Sequence, residues 1–422
     1  MNLATPVEQA PAPVRRRIGD RELIWMMAML MALQAFGIDA ILPGLDELAT
    51  GLDVPGNDRQ FVIGAYLLAA GVGALIPGVL ADRFGRRPVL LTSAVCYILF
   101  SVLSATAATF DGLIVIRAAQ GFFGAGIIAL PPAIIRDRVG GDKMARMMSL
   151  IFVIFLLTPA IAPSIGEVIL ALGDWRWIFA AMAVQGVIVG TWVFLRLPES
   201  LDEANRQPIR PRVVGANMWR AVSRRGSIGY VFGSSLVFGG LFGFINQSQQ
   251  LIGEAFDAAD LFPIIFGVSA GAMAVTNWFN SRIVERFGAR RVGHTALLAF
   301  IVVSTAQVYF AWFGEETLWE FVPLMATNMA LLGFIGTNFG AIAMNPFFDI
   351  AGAASSAHSF LRMTTGAVLG ATIGYMYDGS ARPLAMALLI GGLISLALVL
   401  YSERGRLFGT PEAGMGPTPS QR

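Results

Sequence analysis

Residues 78–90 read GVLADRFGRRPVL, a polar and cationic stretch between two long apolar runs, with Asp82, Arg83, Arg86 and Arg87 gathered around Gly85. Such a stretch cannot lie in hydrocarbon, because Arg and Asp at a bilayer centre each cost about 2.5–3.5 kcal/mol even on the lenient insertion scale. It predicts a tight loop at a membrane face. The pattern returns at residues 283–293 as IVERFGARRVG. There Glu285, Arg286, Phe287, Gly288, Arg290 and Val292 repeat the spacing of Asp82, Arg83, Phe84, Gly85, Arg87 and Val89. A gapless echo near mid-chain predicts a tandem repeat of two similar halves.

Outward from that loop the chain is overwhelmingly apolar. Of its 422 residues 55% are hydrophobic and only 14% charged, which excludes an ordinary soluble core and points to a polytopic helical membrane protein. Taking about 20 apolar residues per span, twelve spans are predicted, at 22–44, 59–80, 89–109, 112–134, 148–171, 176–197, 227–251, 261–282, 292–313, 319–344, 353–375 and 383–402. Residues 198–226, charged and interrupted by proline, form the expected linker between an N-terminal six-helix bundle (22–197) and a C-terminal one (227–402). Residues 1–21 and 403–422 are the expected tails. Arg15, Arg16 and Arg17 before the first run resemble a signal peptide, but the run is long and lacks a small-x-small cleavage site, so it is expected to stay as the first span.

Charge sorting orients the spans. Of the 30 Arg and Lys, only Arg59, Arg176 and Arg382 fall in one set of loops, and Arg117 and Arg362 fall inside spans. All the others lie in the tails and the alternate loops, which places both termini in the cytoplasm by the positive-inside rule. The one cysteine, Cys96, sits in an apolar run, which excludes an intrachain disulfide and a metal cluster. No Walker loop, kinase set or dinucleotide fingerprint is present, so nucleotide hydrolysis by this chain is not the energy source, and no nucleic-acid partner is expected.

Intramembrane polar residues supply the candidate sites. Asp39 and Arg117 fall at a shared depth of about 6–9 Å below the outer edge, where charges usually face the interior and pair. A carboxylate held there can be switched between protonation states by a changing contact, the minimum equipment for proton coupling. Glu167, shallower in the fifth span, is a second protonatable candidate. In the seventh span Asn246, Gln247 and Gln250 follow Gly239, Gly240 and Gly243. Glycines weaken a helix and neutral amides bind ligands without burying a charge, so this stretch is a candidate broken helix lining the substrate cavity. Its alternative is an outer vestibule. In the eleventh span His358 and Arg362 share a face, with Arg362 near mid-membrane and too deep to snorkel. His358 is read first as a packing residue and second as a cavity residue.

The chain resembles the major facilitator superfamily: twelve spans in two sixes, GVLADRFGRRP after the second, and a degenerate copy after the eighth. IRAAQGFFGA in span four, with Arg117, Gln120, Gly121 and Gly124, is similar to the family's embedded Arg and glycine-rich face. TPAIAPSIGE in span five resembles the Pro/Gly motif of the drug:proton antiporters, with Pro159, Pro163 and Gly166 as expected kink positions. It departs from the usual Gly-Gly ending at Glu167. GIDAILPGL and FNSRIVERFGA are similar to the bicyclomycin and chloramphenicol resistance exporters.

The resemblance implies an all-α polytopic membrane protein of twelve transmembrane helices in two pseudo-symmetric six-helix bundles, rocking about a midplane cavity. It implies export of small, largely apolar, drug-like compounds in exchange for protons, with no enzymatic activity, no cofactor beyond the proton gradient, an inner-membrane location and a monomeric state. Gly78, Asp82, Arg83, Gly85, Arg86 and Arg87, with Glu285 and Arg286, are then the expected cytoplasmic latch. The alternatives are proton-coupled transport of a specific anionic metabolite, with Arg362 as its receptor, and a membrane sensor that moves nothing.

Overall fold

The computed structural model describes residues 18–408 apart from 207, 315, 348 and 349. Most of both expected tails (1–17 and 409–422) lies outside the described residues.

Every long apolar run becomes a helix, since in hydrocarbon only a helix satisfies its own backbone donors and acceptors. In chain order these are α1 (Asp20–Asp39), α2 (Leu45–Gly51), α3 (Phe61–Gly73), α4 (Pro77–Phe84), α5 (Arg86–Ala105), α6 (Phe110–Arg136), α7 (Gly141–Leu172) and α8 (Arg176–Arg196). There follow α9 (Pro211–Ser223), α10 (Arg225–Gln250), α11 (Phe262–Phe287), α12 (Ala289–Phe313), α13 (Leu318–Met344), α14 (Ala351–Tyr375) and α15 (Arg382–Ser402). Among the described residues ten helices are long and apolar enough to cross a membrane, and the bent pair of α3 and α4 makes an eleventh. The remaining traverse is α14, as long as its neighbours but carrying Ser355, Ser356, His358, Ser359, Arg362, Thr364 and Thr365.

One reading is corrected here. The second span is not continuous: the stretch ending at Gly73 and the helix from Pro77 meet at 44°, because Pro77 starts a new helix and has no N–H to continue the old one. The polar stretch 78–90 turns tightly, as expected, and most of it is helical. Helix α4 runs to Phe84 and α5 starts at Arg86, so Gly85 alone, at φ +100°, makes the turn. Gly288, at φ +80°, makes the same one-residue turn between α11 and α12, and the sequence echo is therefore an echo of backbone geometry.

The packing repeats as well. In the first half α1 packs on α6, α7 and α8, α3 on α6, and α5 on α6 and α8. In the second α10 packs on α13, α14 and α15, α11 on α13, and α12 on α13 and α15, a term-by-term copy. Across the halves α3 packs on α14 and α7 on α11, which are again counterparts of each other. Val95, Val115, Leu172, Ile188, Val302 and Phe313 point outward, as side chains facing lipid must. The linker is not wholly irregular: α9 docks Ala221 onto Phe347, Ala354 and Ala357.

Candidate functional site

Asp39 closes α1 and is 3% exposed; its Oδ1 has no hydrogen-bond partner. Gly166 of α7 lies against this helix end, where a Cβ would stand 2.2 Å from the Ala40 carbonyl oxygen, so only glycine lets the two backbones come so close. Helix α7 runs through Pro159 and Pro163 without a break. Glu167, next to Gly166, is half-buried and makes no ion pair with any described residue.

Arg117 does not pair with Asp39 as their shared depth suggested. Its Nη2 donates to the Gly37 carbonyl at 2.8 Å, its Nε to the Val62 carbonyl at 3.3 Å, and its Nη1 to Gln120 Oε1 at 2.6 Å. The guanidinium also lies over the rings of Tyr66 and Phe179, at 4.4 and 5.5 Å. Gly37 is in the last turn of α1, where carbonyls have no helical donor, and those acceptors capture the cation. Arg117 thus ties α6 to α1 and α3. Asp39 is left without a counter-ion among the described residues. Nearby, Gln34 and Tyr66 are buried with the amide of one and the hydroxyl of the other unpartnered, and both come within 3.7 Å of the Cβ position of Gly124.

The amides of α10 divide between packing inside the C-terminal half and a seam with the other half. The helix is unbroken to Gln250, with one π turn, Leu251–Ala255, after it. Gly239, Gly240 and Gly243 receive Leu369, Leu388 and Ile373, so they serve close packing and do not break the helix. Asn246 and Gln247 are fully buried and donate to the Phe242 and Ile373 carbonyls at 2.7 and 2.5 Å. The amides of Gln60 and Gln250 are hydrogen-bonded at 2.5 Å across the halves. Asn57 donates to the Tyr375 and Tyr377 carbonyls, Gln249 to Asp46, and Arg59 bridges Asp46 and Glu254. An open cavity of about 640 Å³, lined by Asp46, Arg59, Gln250 and Glu254, lies outside this seam. Of the three amides only Gln250 reaches it.

On the arginine-rich face the ion pairs of the first loop stay within the first half. Arg86 is 4% exposed and holds Asp82 at 2.6 Å and Asp137 at 2.9 Å. Glu199 accepts from the backbone N–H groups of Arg86 and Arg87 at 2.9 and 3.1 Å, an anion at the start of α5 where the helix dipole favours one. Its Oε2 stands 2.5 Å from the Cβ position of Gly85, a second reason for glycine there. Arg87 donates to the Phe194 carbonyl, while Arg83 is exposed. Gly78 faces Ser356 of the other half at 3.9 Å from its Cβ position. Glu285 and Arg286 are exposed and make no ion pair with any described residue; in the second loop it is Arg290 that pairs, with Glu403 at 2.9 Å, and Tyr230 donates to the same carboxylate.

In α14, His358 lies 3.4 Å from the Ala221 carbonyl oxygen and edge-on to Phe347, a packing residue that holds α9. Arg362 is partly exposed and lies over the Phe238 ring at 5.0 Å, and it makes no ion pair or hydrogen bond with any described residue.

The Major Facilitator Superfamily profile matches residues 24–374. The chain belongs to the major facilitator superfamily. It is similar to a bicyclomycin resistance protein homolog of Haemophilus influenzae, 28% identical over 379 residues that cover 90% of this chain and 94% of the relative. It is also similar to the multidrug resistance protein MdtL of a Shewanella species, at 26% identity with 88% and 93% covered. The xylose transporter XylE of E. coli, in a partially occluded inward-open conformation, superposes with a TM-score of 0.66 at 14% identity, covering 91% of this chain and 99% of that one. That likeness bears on fold alone. This superfamily member is a membrane transporter and not an enzyme.

Sequence reasoning passed over Asp137, Glu199, Asn57, Gln60 and Arg59. Glu199 and Asp137 sit just beyond span ends, where an acid is unremarkable without its partner. Gln60 and Gln250 announce nothing singly, because a seam is a pairwise property.

Proposed function

We propose that this superfamily member exports small, largely apolar, drug-like compounds in exchange for protons, by alternating exposure of an interior site to the two faces. The names of its relatives support drug export. The single observation that carries proton exchange is Asp39: a buried carboxylate with no counter-ion and a bare Oδ1, at the contact between α1 and α7. Burial without a partner favours the neutral form and a hydrated opening favours the charged form, so a rocking motion at this contact loads and unloads a proton. Arg117 serves as the strut that holds α1, α3 and α6 in register.

The arginine-rich face is assigned to the cytoplasm, the membrane to the inner one, and the unit to a monomer. The Asn57–Gln60–Gln250 seam then closes the outer side, and the described state faces inward. Everted vesicles incubated with a fluorescent, largely apolar drug-like dye or with radiolabelled chloramphenicol test the reading. Uptake should rise with an imposed pH gradient and collapse with an uncoupler; uptake indifferent to the gradient removes proton exchange.

A further inference from the structure

We infer that the C-terminal half carries an anion subsite built on Arg362 and Phe238, so that the compounds this transporter takes best are aromatic bodies bearing one carboxylate or sulfonate. The inference rests on the transport reading above and names the substrate class for it.

Arg362 lies eleven residues into α14, about 16 Å along the helix at 1.5 Å per residue. Its direction is set by what it touches. The guanidinium lies over Phe238 of α10, 5.0 Å from the ring centroid, and the same ring rests on Gly336 of α13, where a Cβ would stand 2.7 Å from it. A side chain held to a ring wedged between α10 and α13 points into the bundle and not toward lipid. Beside Gly336, Thr337 donates to Asn277 Oδ1 at 2.6 Å, which adds a polar rim from α11 and α13.

Its partners are what distinguish it. The other intramembrane arginine, Arg117, is fully buried and spends its donors on Gly37, Val62 and Gln120. Arg362 has the same five N–H donors, gives none to a described residue, and keeps part of its surface accessible. His358, one turn earlier, is turned away to Ala221. A planar cation with its fork unspent in a low-dielectric interior matches a planar or tetrahedral anion bidentately, and neutral compounds cannot supply that charge. Phe238 gives the same ligand an aromatic floor. The geometry therefore favours an amphipathic anion over a neutral drug of the same shape.

The test uses purified full-length protein in lipid nanodiscs, titrated calorimetrically with biphenyl-4-carboxylate and separately with biphenyl-4-carboxamide, two probes of one shape and different charge. The carboxylate should bind about tenfold tighter than the amide. Arg362→Gln should bring the carboxylate down to the amide's affinity and leave the amide within about twofold; Arg362→Lys, which keeps charge and loses the fork, should fall between and serves if the Gln variant does not fold. Equal binding of both probes to the parental protein, binding of neither, or equal loss of both in the variants overturns the subsite. Carboxylate preference without gradient-driven flux sinks proton exchange and leaves the subsite standing, while flux of neutral drugs without carboxylate preference does the reverse.

Discussion

Arg59 donates to Glu254 at 2.5 Å, joining a residue just before α3 to one just after α10, and so ties the two halves across the arginine-poor face. The pair sits at the rim of the seam, with the Glu254 side chain 48% exposed, so its strength is that of a solvent-screened bridge. Such pairs contribute about 0.2–1 kcal/mol. Glu254→Gln should therefore shift the balance toward opening of this face by up to about fivefold, and raised salt should mimic it. Spin labels at Thr50 and Ala259 report the distance across the face; an unchanged distribution in the variant assigns closure to the amide contacts of Asn57, Gln60, Gln249 and Gln250.

Asp39→Asn fixes the neutral form. Substrate should still bind in nanodiscs, and gradient-driven flux in proteoliposomes should vanish. Asp39→Glu should keep part of the flux with a displaced pH profile. Full flux in Asp39→Asn transfers the coupling role to Glu167, the other acid beside Gly166.

Arg117→Ala removes the donor from three buried acceptors, one each on Gly37, Val62 and Gln120. A buried polar group left unsatisfied costs about 1–3 kcal/mol. The variant should lose several kcal/mol of stability and melt far below the parental protein or fail to assemble. Arg117→Lys, with fewer donors in a different geometry, should recover only part of the melting temperature. Normal melting of the alanine variant would contradict the strut.

Of the two acids on Arg86, Asp137 is the more buried, its side chain 14% exposed against 49% for Asp82. Breaking the buried contact leaves the greater uncompensated charge. Asp137→Asn should therefore slow transport and lower melting temperature more than Asp82→Asn, which should express normally and slow transport only. Equal effects in thermal melts and flux assays would make the two contacts interchangeable.

Glu316, between α12 and α13, is pushed up to about 7 from its ordinary value of 4.5 by burial and by the neighbouring Glu320. Its folded value exceeds its unfolded one, so its contribution is fully present below pH 4.5 and is lost as pH rises through about 7. Glu316→Gln should melt higher than the parental protein at pH 8 and alongside it at pH 4. A gain at both would assign the effect to packing.

The echo of Asp82–Val89 in Glu285–Val292, the apolar run lengths and the arginine sorting are local or periodic properties, and the chain states them outright: twelve traverses, two halves, and a glycine turn at the same place in each. Each follows from what hydrocarbon permits a backbone and a charge to do, which needs no knowledge of neighbours. Which polar groups meet is another matter. Depth placed Asp39 and Arg117 together, but rotation about each helix axis and the unpaired carbonyl of Gly37 decided that Arg117 turns to the backbone and Asp39 stays alone. The amides at Asn246–Gln250 suggested a broken helix and a pocket; in the bundle Asn246 and Gln247 turn to the Phe242 and Ile373 carbonyls of their own half, and only Gln249 and Gln250 meet the other half, at Asp46, Asn57 and Gln60. A single sequence fixes the height of a residue in a membrane through 1.5 Å per residue. Only the assembled bundle decides which way the residue faces, since azimuth is set by contacts between segments far apart in the chain.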